Sequence, residues 1–350
     1  MHIPDGYLSP STCAALYAAA APFWMIALRK MKRVLHTRAI PLLSLAAAFS
    51  FVIMMFNLPL PGATTGHAVG VGIATIVLGP WGSMLAISTA LVIQAVFFGD
   101  GGITTIGANC FNMAIVGSLV AYTVYRIIAG SAALDSRRRV VAAAMAGYAA
   151  INVSAFFAAL EFGIQPALYR DTTGAPLYAP YPLHIAIPAM MIGHLTIAGL
   201  AELIVSAGVV SYLQRAEPEL LRMTAGGAAK DIAEERTSGS TRPLWIALSL
   251  LMIATPLGIL AAGTAWGEWS ATDFANPSVR RQIAAASSNS TPPVNAPSGI
   301  SALSQIWIAP MPAYASPFLK SQSLGYILSA MMGAGLILLA TLLLARIFGK

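Results

Sequence analysis

The chain has 350 residues, 57% of them hydrophobic and only 9% charged, with a formal net charge of +7. Soluble domains carry roughly 25% charged residues, and a chain of this length has no soluble core large enough to bury so much apolar surface, so a soluble fold is excluded. The basic residues stand in short runs between apolar stretches, which is how cytoplasmic loops look and not how a nucleic-acid face looks; no nucleic-acid partner is expected.

The first ten residues, "MHIPDGYLSP", are polar and bent by an Ile3-Pro4-Asp5-Gly6 turn, and they lack the basic n-region of a signal peptide. An apolar run at 12–28 follows, then Arg29-Lys30-Met31-Lys32-Arg33. Charge after the span places the N-terminus outside, so the decapeptide stays on the mature protein and faces the external side. Spans of about 20 apolar residues are read at 11–28, 39–57, 67–79, 82–98, 108–129, 139–160 and 184–213. Two of them are short and meet at Gly79-Pro80-Trp81-Gly82, a turn signal inside an apolar run. Loops assigned to the inside hold Arg29, Lys30, Lys32, Arg33 and Arg38, then Arg137-Arg138-Arg139, then Arg215 and Arg222; the outside loops at 58–66, 99–107 and 161–183 hold only Arg170. His36 falls in the cytoplasmic basic loop.

Residues 214–243 are charged and Gly/Ser-containing, a cytoplasmic linker. Two more spans follow at 244–263 and 324–345, with an external loop at about 264–323. Its Pro/Ser-rich stretch 287–299 reads as disordered, and the chain ends inside on Arg346 and Lys350. The expected fold is an all-α integral membrane protein, multi-pass in a bacterial or archaeal cell membrane and bathed in lipid. A seven-helix transmembrane module (1–213) is joined by the linker to a two-helix transmembrane module (244–350). Cys13 and Cys110 have no paired spacing and read as buried free thiols.

The unusual polar residues all fall on the external side. "NLPLPGATTGHAVG" (57–70) delivers His67 to the start of the third span, where Thr64 or Thr65 is placed to cap the helix. "GDGGITTIGANCFNM" (99–113) lies beside it. Histidine in second position protects the initiator, so Met1 is retained. The Met1 amine, the His2 amide nitrogen and one His2 imidazole nitrogen form three donors in fused chelate rings. An amide loses its proton near neutral pH only to a metal of strong tetragonal preference, and square-planar nitrogen sites point to Ni(II) or Cu(II). His67 is the candidate for the empty fourth corner. Taken alone, a second-position histidine is ordinarily a solvated terminus and a histidine at a helix start a surface or capping residue; the reading as ligands rests on their convergence. His184 reads as interfacial, and His194, in mid-span, as a packing histidine. There is no P-loop, HExxH or G-x-S-x-G.

"MHIPDGYLS" (1–9), "PGATTGHAVG" (61–70), "LGPWGSML" (78–85) and "FGDGGITTIGANCFNM" (98–113), in that order, resemble the CbiM/NikM family. These are the substrate-binding membrane components of energy-coupling factor importers for cobalt and nickel. "TPLGILAAGTAWGEW" (255–269) resembles the small N component found beside or fused to them. The resemblance implies that metal is held by Met1, His2 and His67. It implies a separate coupling transmembrane protein (T component) and cytoplasmic ABC-type ATPases, which accounts for the missing Walker motif; the chain is then not an enzyme. Asn109 and Asn112 fall in a matching motif and are expected to hydrogen-bond to the N-terminal segment, with helix packing the competing explanation. Asp100 is the nearest external carboxylate, with a plain turn as its alternative role. Ala14, Ala15, Ala18 and Ala19 offer a close-packing face for a partner helix. The resulting expectation is ATP-driven Ni(II) import with capture at the external face, with cobalamin-related Co(II) uptake as the alternative. A stand-alone permease would need charged or histidine residues along the spans, where Glu202 and His194 are nearly alone, and a membrane enzyme would need a catalytic constellation the sequence lacks.

Overall fold

A computed structural model describes residues 1–35, 40–224, 241–316 and 318–348. His36, Arg38, most of the 214–243 linker and Lys350 lie outside the described residues. Helix α1 (Pro10–Leu35) starts where the decapeptide ends: Ser9 Oγ accepts from Thr12 N at 3.1 Å, and Pro10, which has no N–H to satisfy, fills the first turn. Helix α2 (Ile40–Met54) has only 15 residues, short of the roughly 20 that cross a hydrocarbon core. The chain leaves it into an antiparallel hairpin of β1 (Leu58–Leu60) and β2 (Thr64–Gly66), with Pro59 opposite Thr65.

Helix α3 (Val71–Ile93) runs on into a π-helical turn, Gln94–Phe98. The two short spans expected here form one apolar run that breaks at Gly79 (φ 71°, ψ 171°), a conformation open essentially only to glycine. Thr75 Oγ1 donates to Ser83 Oγ at 3.0 Å. In a straight helix those positions are about 12 Å apart along the axis, so the chain doubles back at the Gly79-Pro80 break. Helix α4 (Ile106–Asn109), a π-helical stretch (Cys110–Val116) and α5 (Gly117–Ala129) make the next run. Helix α6 (Arg137–Leu168) is capped by Ser136 Oγ, which accepts from Arg138 N. Arg139, read from sequence as the last of three loop arginines, is buried: its guanidinium donates to Ala132 O and Ala133 O, in the turn after α5, and to Tyr125 OH. Helix α7 (Leu183–Gly193), a π-helical turn (His194–Ala198) and α8 (Gly199–Ala216) form one long run.

Helix α9 (Arg242–Ala254) continues as a 3₁₀ turn to Leu260, and α10 (Pro277–Ala286) and α11 (Ser298–Leu303) precede α12 (Gln322–Phe348). Both α9 and α12 pack on α2, where Ser44 Oγ meets Thr341 Oγ1 at 2.6 Å. Among the described residues, seven helical runs are long and apolar enough to cross a membrane: Pro10–Lys32, Val71–Phe98, Ile106–Ala129, Arg137–Leu168, Leu183–Ala216, Arg242–Leu260 and Gln322–Phe348. Exposed Ile127, Ile204, Leu250 and Leu339 present the apolar outer face that lipid covers. The protein is an all-α multi-pass membrane protein.

The 287–299 stretch is a correction to the sequence reading, because it is ordered. Trp266 Nε1 donates to Ser287 Oγ at 3.1 Å, Arg280 reaches the Pro292 and Pro293 carbonyls, and Gly299 N donates to Leu177 O at 2.7 Å. Its prolines and serines are held by tertiary partners that composition alone does not reveal.

Candidate metal centre

The decapeptide folds into one end of the bundle and is buried there; Met1 is 3% and His2 1% exposed. Its backbone is held at every turn. Ile3 N donates to Asn109 Oδ1 at 2.8 Å, and Ile3 O accepts from Gly102 N at 3.0 Å, from Asn109 Nδ2 at 3.1 Å and from Thr105 Oγ1. The Asp5 carboxylate accepts from Ile103 N at 3.1 Å and from Thr104 N at 2.8 Å, pinning the 99–105 loop beneath it. Gly6 sits at φ 86°, and a Cβ there would fall 2.5 Å from Gly299 O, so the turn admits only glycine. Beyond it Tyr7 OH donates to Trp269 O at 2.7 Å, and Ser9 N donates to Gln165 Oε1 at 3.0 Å.

This path brings His2 to His67, with ring centroids 5.1 Å apart. His67 lies between β2 and α3, on a segment anchored by an intramembrane carboxylate. Glu202 accepts from Val69 N at 2.7 Å, Gly70 N at 2.8 Å and Gly72 N at 3.3 Å, which satisfies the open N–H groups at the start of α3. Burial, with the charges of His2 and the N-terminal ammonium beside it, holds the His67 imidazole well below its ordinary pKa, so the ring is neutral near pH 7. Its Nδ1 donates to Ala68 O at 3.1 Å, leaving the Nε2 lone pair for another partner. His2 Nδ1 bonds to Asp100 Oδ1, while its buried Nε2 has no hydrogen-bond partner among the described residues. Burial alone would raise the Asp100 carboxyl; His2, His67 and the Tyr314 hydroxyl together bring it below the usual carboxylate range.

The Met1 amine lies 3.4 Å from Glu268 Oε1. Burial pushes that carboxyl up, and the N-terminal ammonium pulls against the shift. Tyr314 OH donates to Asp100 Oδ2, and Gln94 Nε2 reaches both Asp100 Oδ2, at 3.3 Å, and Tyr314 OH, at 2.9 Å.

The structure thus brings Met1, His2 and His67 into one buried pocket, with Asp100 on His2 and Asn109 on Ile3. It does not place the remaining expected partners there. Asn112 Nδ2 donates to Glu161 Oε2 at 2.9 Å and makes no bond to the N-terminal segment. Thr64 and Thr65 belong to β2; Thr64 Oγ1 donates to Pro61 O, and α3 begins without a side-chain cap at Gly70 because Glu202 supplies the acceptors. His194 Nδ1 donates to Met190 O, the packing role expected of it, and Cys13 and Cys110 are buried and free. Sequence reasoning missed Glu268, Tyr314 and Glu161, and it did not recognise Glu202 as an anchor. A lone carboxylate in an apolar span is a signal for Glu202; Glu268 and Tyr314, far along the chain, carry none.

An end of a helical bundle that buries a chain terminus, two histidines and flanking carboxylates belongs to a multi-pass membrane protein with a polar cluster at that end. Comparison with known sequences agrees: the match is to CbiM, described as cobalt uptake substrate-specific transmembrane region, over residues 2–220, and to the PDGLE domain over residues 240–350. The chain belongs to the CbiM family. It is 54% identical to the fused nickel transport protein NikMN of Rhodobacter capsulatus, over 96% of this chain and 95% of that one. It is 44% identical to the probable fused nickel transport protein LarMN of Lactiplantibacillus plantarum, over 77% and 78% of the two chains. Among solved structures, a transition metal transporter matches with a TM-score of 0.58 at 43% identity, covering 64% of this chain and 98% of that one.

Proposed function

We propose that the chain is the metal-binding substrate-specific component of an ATP-driven importer of Ni(II), which it captures at the external face. The observation that carries this is the convergence of the Met1 amine, His2 and His67, with the two rings 5.1 Å apart in a buried pocket. Residues 1–213 form the capturing module, and 244–350 a second module that reaches over the site through Glu268 and Tyr314. The positive-inside pattern supports an external N-terminus and a cytoplasmic C-terminus. Nickel is favoured over cobalt by the planar nitrogen donor set and by nickel-named relatives that span both modules. Cobalt is the second reading, supported by the family's own description. ATP hydrolysis belongs to cytoplasmic ABC-type ATPases acting through a coupling transmembrane protein, as the family resemblance implies.

Chemically, the Met1 ammonium and the His2 amide would each lose a proton to solvent in order to bind the ion, so binding releases protons and weakens in acid. The chelate ring that starts at the His2 amide closes through Cα, Cβ and Cγ onto Nδ1; Nε2, across the ring, cannot reach. Asp100 therefore has to release Nδ1 as the ion enters. Neutral His67, with Nδ1 committed to Ala68 O, supplies Nε2 as the fourth donor.

The test is equilibrium Ni(II) binding by purified protein. One residue added before Met1 is expected to weaken binding at least about 100-fold, and His67→Ala comparably, while a C-terminal tag leaves it unchanged. Normal affinity with an extended N-terminus would remove the terminal amine from the ligand set.

A further inference from the structure

Glu161 stands on α6 inside the membrane-spanning bundle and is 7% exposed; Asn112, in the π-helical stretch Cys110–Val116, is 2% exposed. They are joined by the 2.9 Å bond from Asn112 Nδ2 to Glu161 Oε2. The other oxygen of each, Glu161 Oε1 and Asn112 Oδ1, is buried with no hydrogen-bond partner among the described residues. Two buried oxygens without partners are costly, each by about 1–3 kcal/mol. An ionisable side chain at this depth marks a functional site by default, and π-helical turns recur at such sites.

Position gives the pair its meaning. Asn109, one turn before Asn112, holds Ile3; Gln165, one turn beyond Glu161, holds Ser9 N and donates to Glu161 O. The pair therefore lies one helical turn inward of the buried N-terminal segment. Hydroxyls continue in the same direction: Ser154 Oγ donates to Asn112 O at 2.8 Å, and Ser118 and Thr75 both donate to Ser83 Oγ.

We propose that Glu161 Oε1 and Asn112 Oδ1 form a second, oxygen-donor cation subsite, which the transported divalent ion occupies transiently between the terminal nitrogen site and release. This rests on the proposed transport function. One carboxylate and one amide oxygen, completed by water, hold a divalent ion weakly, which suits a step the ion must leave. The nitrogen site captures and selects; the oxygen pair receives.

Two measurements test it. In cells producing the full chain with its partner subunits, Glu161→Gln, which keeps shape and removes charge, is expected to cut nickel uptake about tenfold or more, while Ni(II) affinity of the purified protein stays within about twofold. Unchanged uptake overturns the subsite, and so does a parallel loss of affinity, which would make Glu161 a packing partner of the N-terminal segment. Asn112→Asp supplies a second carboxylate and keeps the idea testable if Glu161→Gln does not fold. The double variant His67→Ala/Asn112→Asp is expected to bind one oxygen-coordinated, paramagnetic Ni(II) per chain, about tenfold more tightly than His67→Ala alone; no retained metal overturns the subsite. If the purified native chain binds no Ni(II) and cells producing it with its partner subunits take up none, the transport reading itself fails. If they abolish it while Glu161→Gln transports normally, only the inner subsite fails.

Discussion

Asn109 does the most to fix the terminus, because one amide side chain answers both polar groups of Ile3. Asn109→Leu fills similar space and leaves the buried Ile3 N–H without its partner, at about 1–3 kcal/mol, while Ile3 O keeps Gly102 N and Thr105 Oγ1. Nickel affinity is expected to fall about 10–100-fold by titration calorimetry, with helix content unchanged in circular dichroism. His67 gives a second prediction, from its lowered pKa. The folded imidazole stays neutral while the unfolded one protonates below about pH 6.5, so stability is lost as pH falls through that value. Between pH 7.5 and 5.5 the native chain should lose more stability than His67→Gln, up to about 1.4 kcal/mol, the ceiling set by the unfolded imidazole, read from metal-free thermal melts in detergent. At this scale the sequence was informative for the histidines and for Asn109, because they sit in Gly- and Pro-rich stretches where ordinary packing gives them no reason to be. It was silent for Glu268: a single carboxylate between two tryptophans has no spacing to read, and only tertiary folding brings it 3.4 Å from the Met1 amine.

Among the elements, α3 shows how a helix start can be set from across the bundle. Thr64 and Thr65 looked like caps because they precede an apolar run by the right distance. The hairpin register uses them as strand residues instead, and Glu202 on α8 accepts the free N–H groups. Glu202→Ala leaves those groups unpaired beside the segment that carries His67. We expect it to cost about 2–3 kcal/mol in thermal stability and to weaken nickel binding, whereas Glu202→Gln, which keeps an acceptor, should cost less. Arg139 shows what a count of charges leaves out. A run of three arginines reads as a cytoplasmic loop, yet its third member is buried on the carbonyls that follow α5. Periodicity and charge locate spans well; which charges turn inward depends on neighbours far along the chain.

For the whole molecule, the region between α9 and α12 is a cover over the site, not a loose loop. Its stretch 287–299 suggested disorder because composition records what a segment lacks, while its order comes from partners elsewhere, such as Leu177 for Gly299; further along, Phe97 O holds Met311 N. Hydrogen exchange is expected to show the Gly299 and Met311 amides protected to nearly the stability of the bundle; exchange at random-coil rates would mean the cover is not seated. Folding order follows from the same arrangement. The Met1 amine and Glu268 are 267 positions apart, and Tyr7 and Trp269 are 262 apart. Chains grow at about 5–20 residues per second, so the first residues made wait roughly 15–50 s for the partners that enclose them. The terminus stays open to enzymes that trim or modify chain ends throughout synthesis, and is enclosed only when the cover arrives.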